Sequence, residues 1–379
     1  MQERAAVIFI PDDTGKTGLT QPLMLTEVCG SPLLAWTAAA LADGGVQRLF
    51  LVCHERYAAM VQESCPAGLQ VTVSDNQTAA DAMTKFLAEG GEDEQVMVLT
   101  GPAVLIPNEA ESSCAYSISS HTMRLGLEEQ ISVLDLLRSC ALPMTGACPI
   151  GSLEELCSYQ KAVIRTRLFA LVRAGVQIWD IDNCYVSPQA DIGKGAVLMP
   201  GTMILGRSTV GAGCVIGPNA LLDNARIGEE TRVNSSQIYD STVGSGATVG
   251  PYAYIRPNCV IGDKVRIGDF VELKNSTIGD GTKVSHLTYV GDSDVGKKVN
   301  FGCGTVTVNY DGLNKFRTTI GDNAFIGCNT NLVAPVSVGD NAYTGAGTTI
   351  TEDVPNNALA IGRPKQINKK DWVIKHRKK

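Results

Sequence analysis

The side chains best suited to chemistry crowd into Ser285 to Lys315, SHLTYVGDSDVGKKVNFGCGTVTVNYDGLNK. His286, Tyr289, Asn300, Asn309, Tyr310 and Lys315 stand there inside a regular apolar repeat. A stretch that only packed would not need so many polar side chains at set positions. His286 is the only histidine of the repeat and falls off its inward aliphatic positions, so its imidazole is a candidate proton acceptor. Upstream lie Arg256, Glu272 and Lys274. An arginine fork with two ammonium groups suits a phosphate dianion. Arg256 occupies a position where the repeat usually has glycine, whereas Lys297 and Lys298 read as solvated surface charges.

The frame that positions these residues is a six-residue period. Val186, Ile192, Leu198, Ile204, Val210, Ile216 and Leu222 recur at that spacing, and the series resumes at Ile227 and Val233. A second run is Val243, Val249, Ile255, Ile261, Ile267 and Leu273; a third is Ile320, Ile326, Leu332 and Val338, followed by Ile350. Six fits neither a helix nor one long strand. It fits a short strand plus a turn, three such units closing each triangular coil of a parallel β-helix, with roughly nine coils at eighteen residues each. Aliphatics point to the coil axis, and Gly, Asn or Asp supplies the corners. The repeat breaks between Thr307 and Thr319, where an insertion would leave the coil as a surface loop.

The first half reads differently. Ala5–Pro11, Arg48–Val52 and Gln95–Thr100 are expected strands, with helices over Pro32–Ala42 and Ala79–Glu89. That alternation predicts a parallel sheet covered by helices on both faces. A long amphipathic helix over Gly151–Ala174 leads out of it. The expected domains are therefore an α/β domain at 1–150, a linking helix at 151–180, a β-helix at 181–363 and a basic tail at 364–379.

Composition sets bounds. The 379 residues carry a net charge of −7, which excludes a general nucleic-acid or acidic-membrane binder. Twelve cysteines occur without a CxxC pair or zinc-like spacing, so they read as small hydrophobes in a reducing compartment. With no long apolar span and no leader-like N-terminus, the expectation is a soluble, cytoplasmic protein.

From Arg256 to Arg363 the words IRPN, VELKN, SHLTYVGD, VNFGCGT, NYDGLNK and AIGRP resemble the acetyltransferase domain of the bifunctional N-acetylglucosamine-1-phosphate uridyltransferase/glucosamine-1-phosphate N-acetyltransferase family. The resemblance implies a left-handed β-helix, a homotrimer, and acetyl transfer from acetyl-CoA to glucosamine 1-phosphate for UDP-N-acetylglucosamine and the cell wall. It implies His286 as general base with Glu272 orienting it, and Arg256, Lys274, Tyr289, Asn300 and Lys315 as sugar-phosphate ligands. Cys303, Asn309, Tyr310, Cys328, Ala346 and Arg363 are implied at acetyl-CoA, the basic tail being a further candidate for its phosphates. Magnesium is not expected to be required for the acetyl step, and no metal site is expected.

The α/β half resembles the same family's uridyltransferase domain with its chemistry missing. Gln21–Pro32 keeps the spacing of a PKxLxxxxGKP segment, but Leu23 and Ser31 replace both lysines. The phosphate loop is replaced by Pro11-Asp12-Asp13-Thr14-Gly15-Lys16, and the two magnesium-ligand positions fall on Pro102 and Gly151. Proline and glycine offer no side-chain oxygen to a hard cation. Three alternatives stand beside monofunctional acetyl transfer: retained uridylyl transfer, another acceptor such as galactosamine 1-phosphate, and a non-catalytic sugar-nucleotide-binding scaffold.

Overall fold

The computed structural model describes residues 4–91, 94–106 and 111–377. Its contacts divide the chain into two compact units, Met1–Glu230 and Thr231–Lys379.

The first unit begins with a six-stranded sheet ordered Gln70–Asp75, Arg48–Cys53, Ala5–Phe9, Gln95–Leu99, Glu111–Ser119, Leu142–Thr145. The first four strands are parallel, and the apolar runs of Ala5–Phe9 and Arg48–Cys53 are buried, whereas the edge strand Gln70–Asp75 is partly exposed. The last two are antiparallel, so the sheet is mixed and corrects the all-parallel expectation. Glu111–Ser119 (ESSCAYSIS) carries no aliphatic run, which is why the sequence did not announce it. Helix Ala79–Ala88 packs on this sheet, helix Leu33–Asp43 packs against the short strand Ala103–Leu105, and Ser152 caps the helix Leu153–Arg173 by accepting the Glu155 N–H.

The same unit holds the first coils of the β-helix, with Tyr185–Val186 paired in parallel to Met203–Ile204 and Asp191–Ile192 to Thr209–Val210. The α/β domain is tied to these coils. Ser31 and Ser187 share a buried hydrogen bond of 3.0 Å, and the Gln189 amide donates to the Glu63 carbonyl at 2.9 Å. Ser31 and Leu23, which replace the two lysines, are both buried. One side chain is core and the other is a docking contact.

The second unit continues the coils in parallel, in-register ladders. Every aliphatic of the three runs is buried. The intervals between the runs are not interruptions: Ile238, Ile278, Val284, Val290, Val295 and Phe301 fill them, and Thr307 and Thr344 take the inward place elsewhere. Thr307 fits because its hydroxyl accepts the Gly291 N–H at 2.7 Å and donates to the Gly291 carbonyl at 3.1 Å. The insertion leaves the coil after Val306–Val308 and returns at Thr318–Ile320. Asp311 holds its turn by accepting the Leu313 and Asn314 N–H groups, and an antiparallel bridge joins Tyr310 to Lys315. The tail ends in a short exposed helix, Trp372–His376; Lys378 and Lys379 lie outside the described residues. Among the described residues no helix is long and apolar enough to cross a membrane.

Candidate active site

The strands Arg266–Lys274 and Lys283–Gly291 each turn one corner of the prism, and their register sets Asp269 beside His286. Phe270 and Leu287, the next residues, have φ of 56° and 40°. Bulky residues in that region are strained, so the corner is held by its surroundings. His286 Nδ1 lies 2.7 Å from Asp269 Oδ1. That bond holds the Asp269 carboxyl below its ordinary range. Nδ1 thus carries the proton, and Nε2 is left as the acceptor.

Glu272 does not orient His286. Its Oε1 accepts from Arg256 Nη1 at 3.0 Å, a bond that raises the arginine's proton affinity. The correction has a geometric cause: Glu272 lies past the corner, beside Tyr254 and Tyr289 on the next face.

On that face a second carboxylate organises the polar group. Asp292 is buried, with its side chain 6 % exposed. Lys274 Nζ donates to its two oxygens at 3.0 and 3.2 Å, Asn275 Nδ2 at 2.6 Å, and Asn309 Nδ2 also donates to it. Burial pushes the Asp292 carboxyl up, but these donors outweigh it and hold the group ionised below the usual range. Hydrogen bonding to Asp292 raises Lys274 in turn, and Lys315 from the inserted loop approaches the same ammonium. Asn309 also reaches the Tyr289 hydroxyl at 3.5 Å. The structure therefore gathers Arg256, Lys274, Tyr289, Asn309 and Lys315 with two carboxylates. Two of the three cations arrive already paired, so an incoming anion must share Arg256 with Glu272 and Lys274 with Asp292.

Asn300 is not part of this gathering. Its ladder partners are Lys283 and Phe325, on the face that enters the His286 corner rather than the one that leaves it. Tyr310 is exposed, its hydroxyl donating to the Gly312 carbonyl at 2.6 Å.

The remaining expected residues form a column. Carrying the ladder register three residues on from Lys283, Asn300, Phe325 and Tyr343 stacks His286, Cys303, Cys328 and Ala346 on successive coils at one corner. Arg363 closes the column, its Nη1 donating to the Ala346 carbonyl. Gly302 and Gly327 have no room for a Cβ: it would meet the next coil's backbone at 2.4 and 2.5 Å. Glycine there lets coils stack tightly beside the column.

Sequence reasoning missed Asp269, Asp292 and Asn275. Asp269 stands 17 residues before His286, one short of the eighteen-residue coil, so the period alone did not set the two opposite each other. Asp292 looked like an ordinary polar corner, and only its burial marks it.

In the first unit, the carboxylates of the Pro11–Lys16 loop are engaged within the domain. Asp13 Oδ1 accepts the Leu23 N–H at 3.0 Å, Asp12 accepts the Thr14 hydroxyl at 2.7 Å, and Arg56 pairs with Asp12. The carboxylates occupy donors that a phosphate would need. The Ile150 N–H donates to the Pro102 carbonyl at 2.9 Å, so the two magnesium-ligand positions do converge. Neither brings a side-chain oxygen, and the residues present do not fit the ion.

Known sequence families match the coils: the GMPPB C-terminal domain over residues 237–310, and the bacterial transferase hexapeptide (six repeats) over 189–224 and 317–352. The β-helix is left-handed, as in that hexapeptide class. Among curated proteins, bifunctional protein GlmU of Halalkalibacterium halodurans is 54 % identical over 206 residues, covering 54 % of this chain and 45 % of the relative. That of Clostridium kluyveri is 48 % identical over 235 residues, covering 62 % and 51 %. In these matches the chain spans about half the length of the relative. GlmU of Geobacillus thermodenitrificans is 37 % identical over 356 residues, covering 94 % of this chain and 72 % of the relative. With both the α/β half and the coils inside that last match, the chain belongs to the bifunctional GlmU family.

Proposed function

We propose that this protein transfers the acetyl group of acetyl-CoA to the amine of glucosamine 1-phosphate. The product, N-acetylglucosamine 1-phosphate, serves UDP-N-acetylglucosamine synthesis, and uridylyl transfer is supplied by another protein. The observation that carries the reading is the His286–Asp269 pair at the head of the column, with a cation group on the adjoining face. Arg256, Lys274 and Lys315 bind the sugar phosphate. His286 Nε2 takes the proton as the amine attacks the thioester carbonyl, Asp269 stabilises the imidazolium that forms, and collapse breaks the C–S bond so that the coenzyme leaves as a thiol with that proton. The tetrahedral oxyanion takes the Cys303 N–H, since the flanking Gly302 and Gly304 N–H groups already donate to the Ile326 and Leu287 carbonyls. Cys303, Cys328, Ala346 and Arg363 hold the coenzyme along the corner, with Asn309 and Tyr310 near the acetyl group. The acetyl step uses no metal.

Asn300 faces away from the cations of its own subunit, which favours a homotrimer whose sites are completed across neighbouring copies. The α/β domain contributes packing onto the first coils rather than nucleotide chemistry, supported by the burial of Leu23 and Ser31.

The test is thiol release from acetyl-CoA with glucosamine 1-phosphate, wild type against His286→Ala. Activity lost with the substitution supports the reading. Activity that survives it removes His286 as the base. No release from a folded wild-type oligomer overturns acetyl transfer and leaves the scaffold alternative.

A further inference from the structure

Cys303 and Cys328 are equivalent residues of consecutive coils. Asn300 pairs with Phe325 and Phe301 with Ile326, and the same register continues to the two cysteines. The Asn329 N–H closes on the Cys303 carbonyl at 2.8 Å, immediately beside them. Both thiols are exposed and neither is in a disulfide. The bare glycines before them hold the two backbones at sheet spacing.

That spacing decides the chemistry. Adjacent strands lie about 4.8 Å apart, and in-register side chains repeat at the same interval. A disulfide needs Cβ atoms about 3.8 Å apart, closer than stacked rungs provide. One ion bonded in line to two thiolates, at about 2.3 Å each, spans about 4.6 Å. Thiolate pairs select soft ions such as copper(I). Among the described residues, no group of three or more His, Cys, Asp and Glu is placed to hold a metal. An ion demanding four protein ligands is therefore poorly served here, whereas one content with two is not.

We propose that Cys303 and Cys328 form a two-coordinate site for a soft monovalent metal ion of the copper(I) class. Each thiol releases its proton to solvent, each sulfur gives one electron pair to the ion, and no electron is transferred. His286 occupies the preceding rung, so a bound ion would sit on the corner that the coenzyme follows. That inhibitory consequence rests on the acetyl-transfer reading; the binding itself does not.

The experiment is an anaerobic copper(I) titration of the full chain against a chromophoric copper(I) chelator. One tight ion per chain is expected. Cys303→Ala and Cys328→Ala should each weaken it about 100-fold, because the second thiolate acts at high effective concentration. Cys140→Ser and Cys157→Ser, at the other exposed cysteines, should leave it in place. Single-site variants that keep wild-type affinity, or that each lose half of an independent pair of ions, overturn the bridging site. The second readout is acetyl-CoA competition: coenzyme should displace the ion. Tight binding lost in both alanine variants but indifferent to acetyl-CoA leaves the metal site standing and removes the coenzyme from that corner.

Discussion

Asp269 Oδ1 sits 2.7 Å from His286 Nδ1, and Glu272, farther along the same strand, is committed to Arg256 at 3.0 Å. The two carboxylates therefore have separable effects. Asp269→Leu should lower kcat about 10- to 100-fold at neutral pH with little change in the sugar-phosphate KM, because the base loses its orientation and charge partner. Glu272→Ala should instead raise that KM about tenfold, leaving the pH profile of kcat in place, because Arg256 loses its anchor. Steady-state kinetics of both variants across pH separates the two outcomes.

Asp292 should be the costliest polar residue of the site to remove. Asp292→Ala leaves Lys274 without its buried counter-ion and should destabilise the protein by about 3 kcal/mol. Acid sensitivity follows from the same pair. The folded Asp292 carboxyl lies below its ordinary 3.8, so its stabilising contribution is complete above that value. It is lost as pH falls from there through the depressed folded value. Denaturant midpoints between neutral pH and pH 3 should therefore fall more steeply for wild type than for Asp292→Asn.

Thr307→Val keeps shape and adds apolar character at an inward position, yet it should destabilise by about 1–2 kcal/mol. The Gly291 N–H loses its 2.7 Å acceptor and cannot reach water. Chemical denaturation against Ile326→Val, a pure loss of one methylene, provides the comparison.

Arg363→Ala should raise the acetyl-CoA KM about tenfold, the scale of losing one charge-assisted contact, while the sugar-phosphate KM holds. A matching rise in both constants would place Arg363 in the fold rather than at the coenzyme.

No pyrophosphate should be released from UTP and N-acetylglucosamine 1-phosphate, with or without magnesium. Release that depends on magnesium would show that Pro102 and Gly151 have been replaced as ligands by other residues, and would restore the bifunctional alternative.

The coils were legible because burial is periodic: each inward aliphatic of the three runs is where the period put it. What escaped were inward positions reached by a five-residue step, such as Ile238, Ile278 and Val295, and positions where the inward residue is not aliphatic. Thr307 and Thr344 satisfy their hydroxyls inside the prism and so break the visible rhythm without breaking the coil. The strand Glu111–Ser119 escaped for a related reason, being only partly apolar. At the site, residue types disclosed the cations and the imidazole. Which carboxylate serves which partner depended on a corner in the backbone, and sequence spacing alone made Glu272 as eligible as Asp269. Asp292 carried no sequence mark, since only a tertiary count of its donors tells it from a solvated turn residue.

The corner column is also a ruler. His286, Cys303, Cys328 and Ala346 stand on consecutive coils, and the Arg363 guanidinium reaches back to the Ala346 carbonyl at the end of the series. Three steps of strand spacing come to about 14 Å. The chain thereby converts residue counting into a fixed length between an imidazole and a guanidinium. Lengthening a surface loop leaves that distance alone, whereas deleting one coil shortens it by a third. An acyl carrier with a reactive end and an anionic end is measured by such a scale, and a carrier arm shorter or longer than the span would meet only one of its two ends.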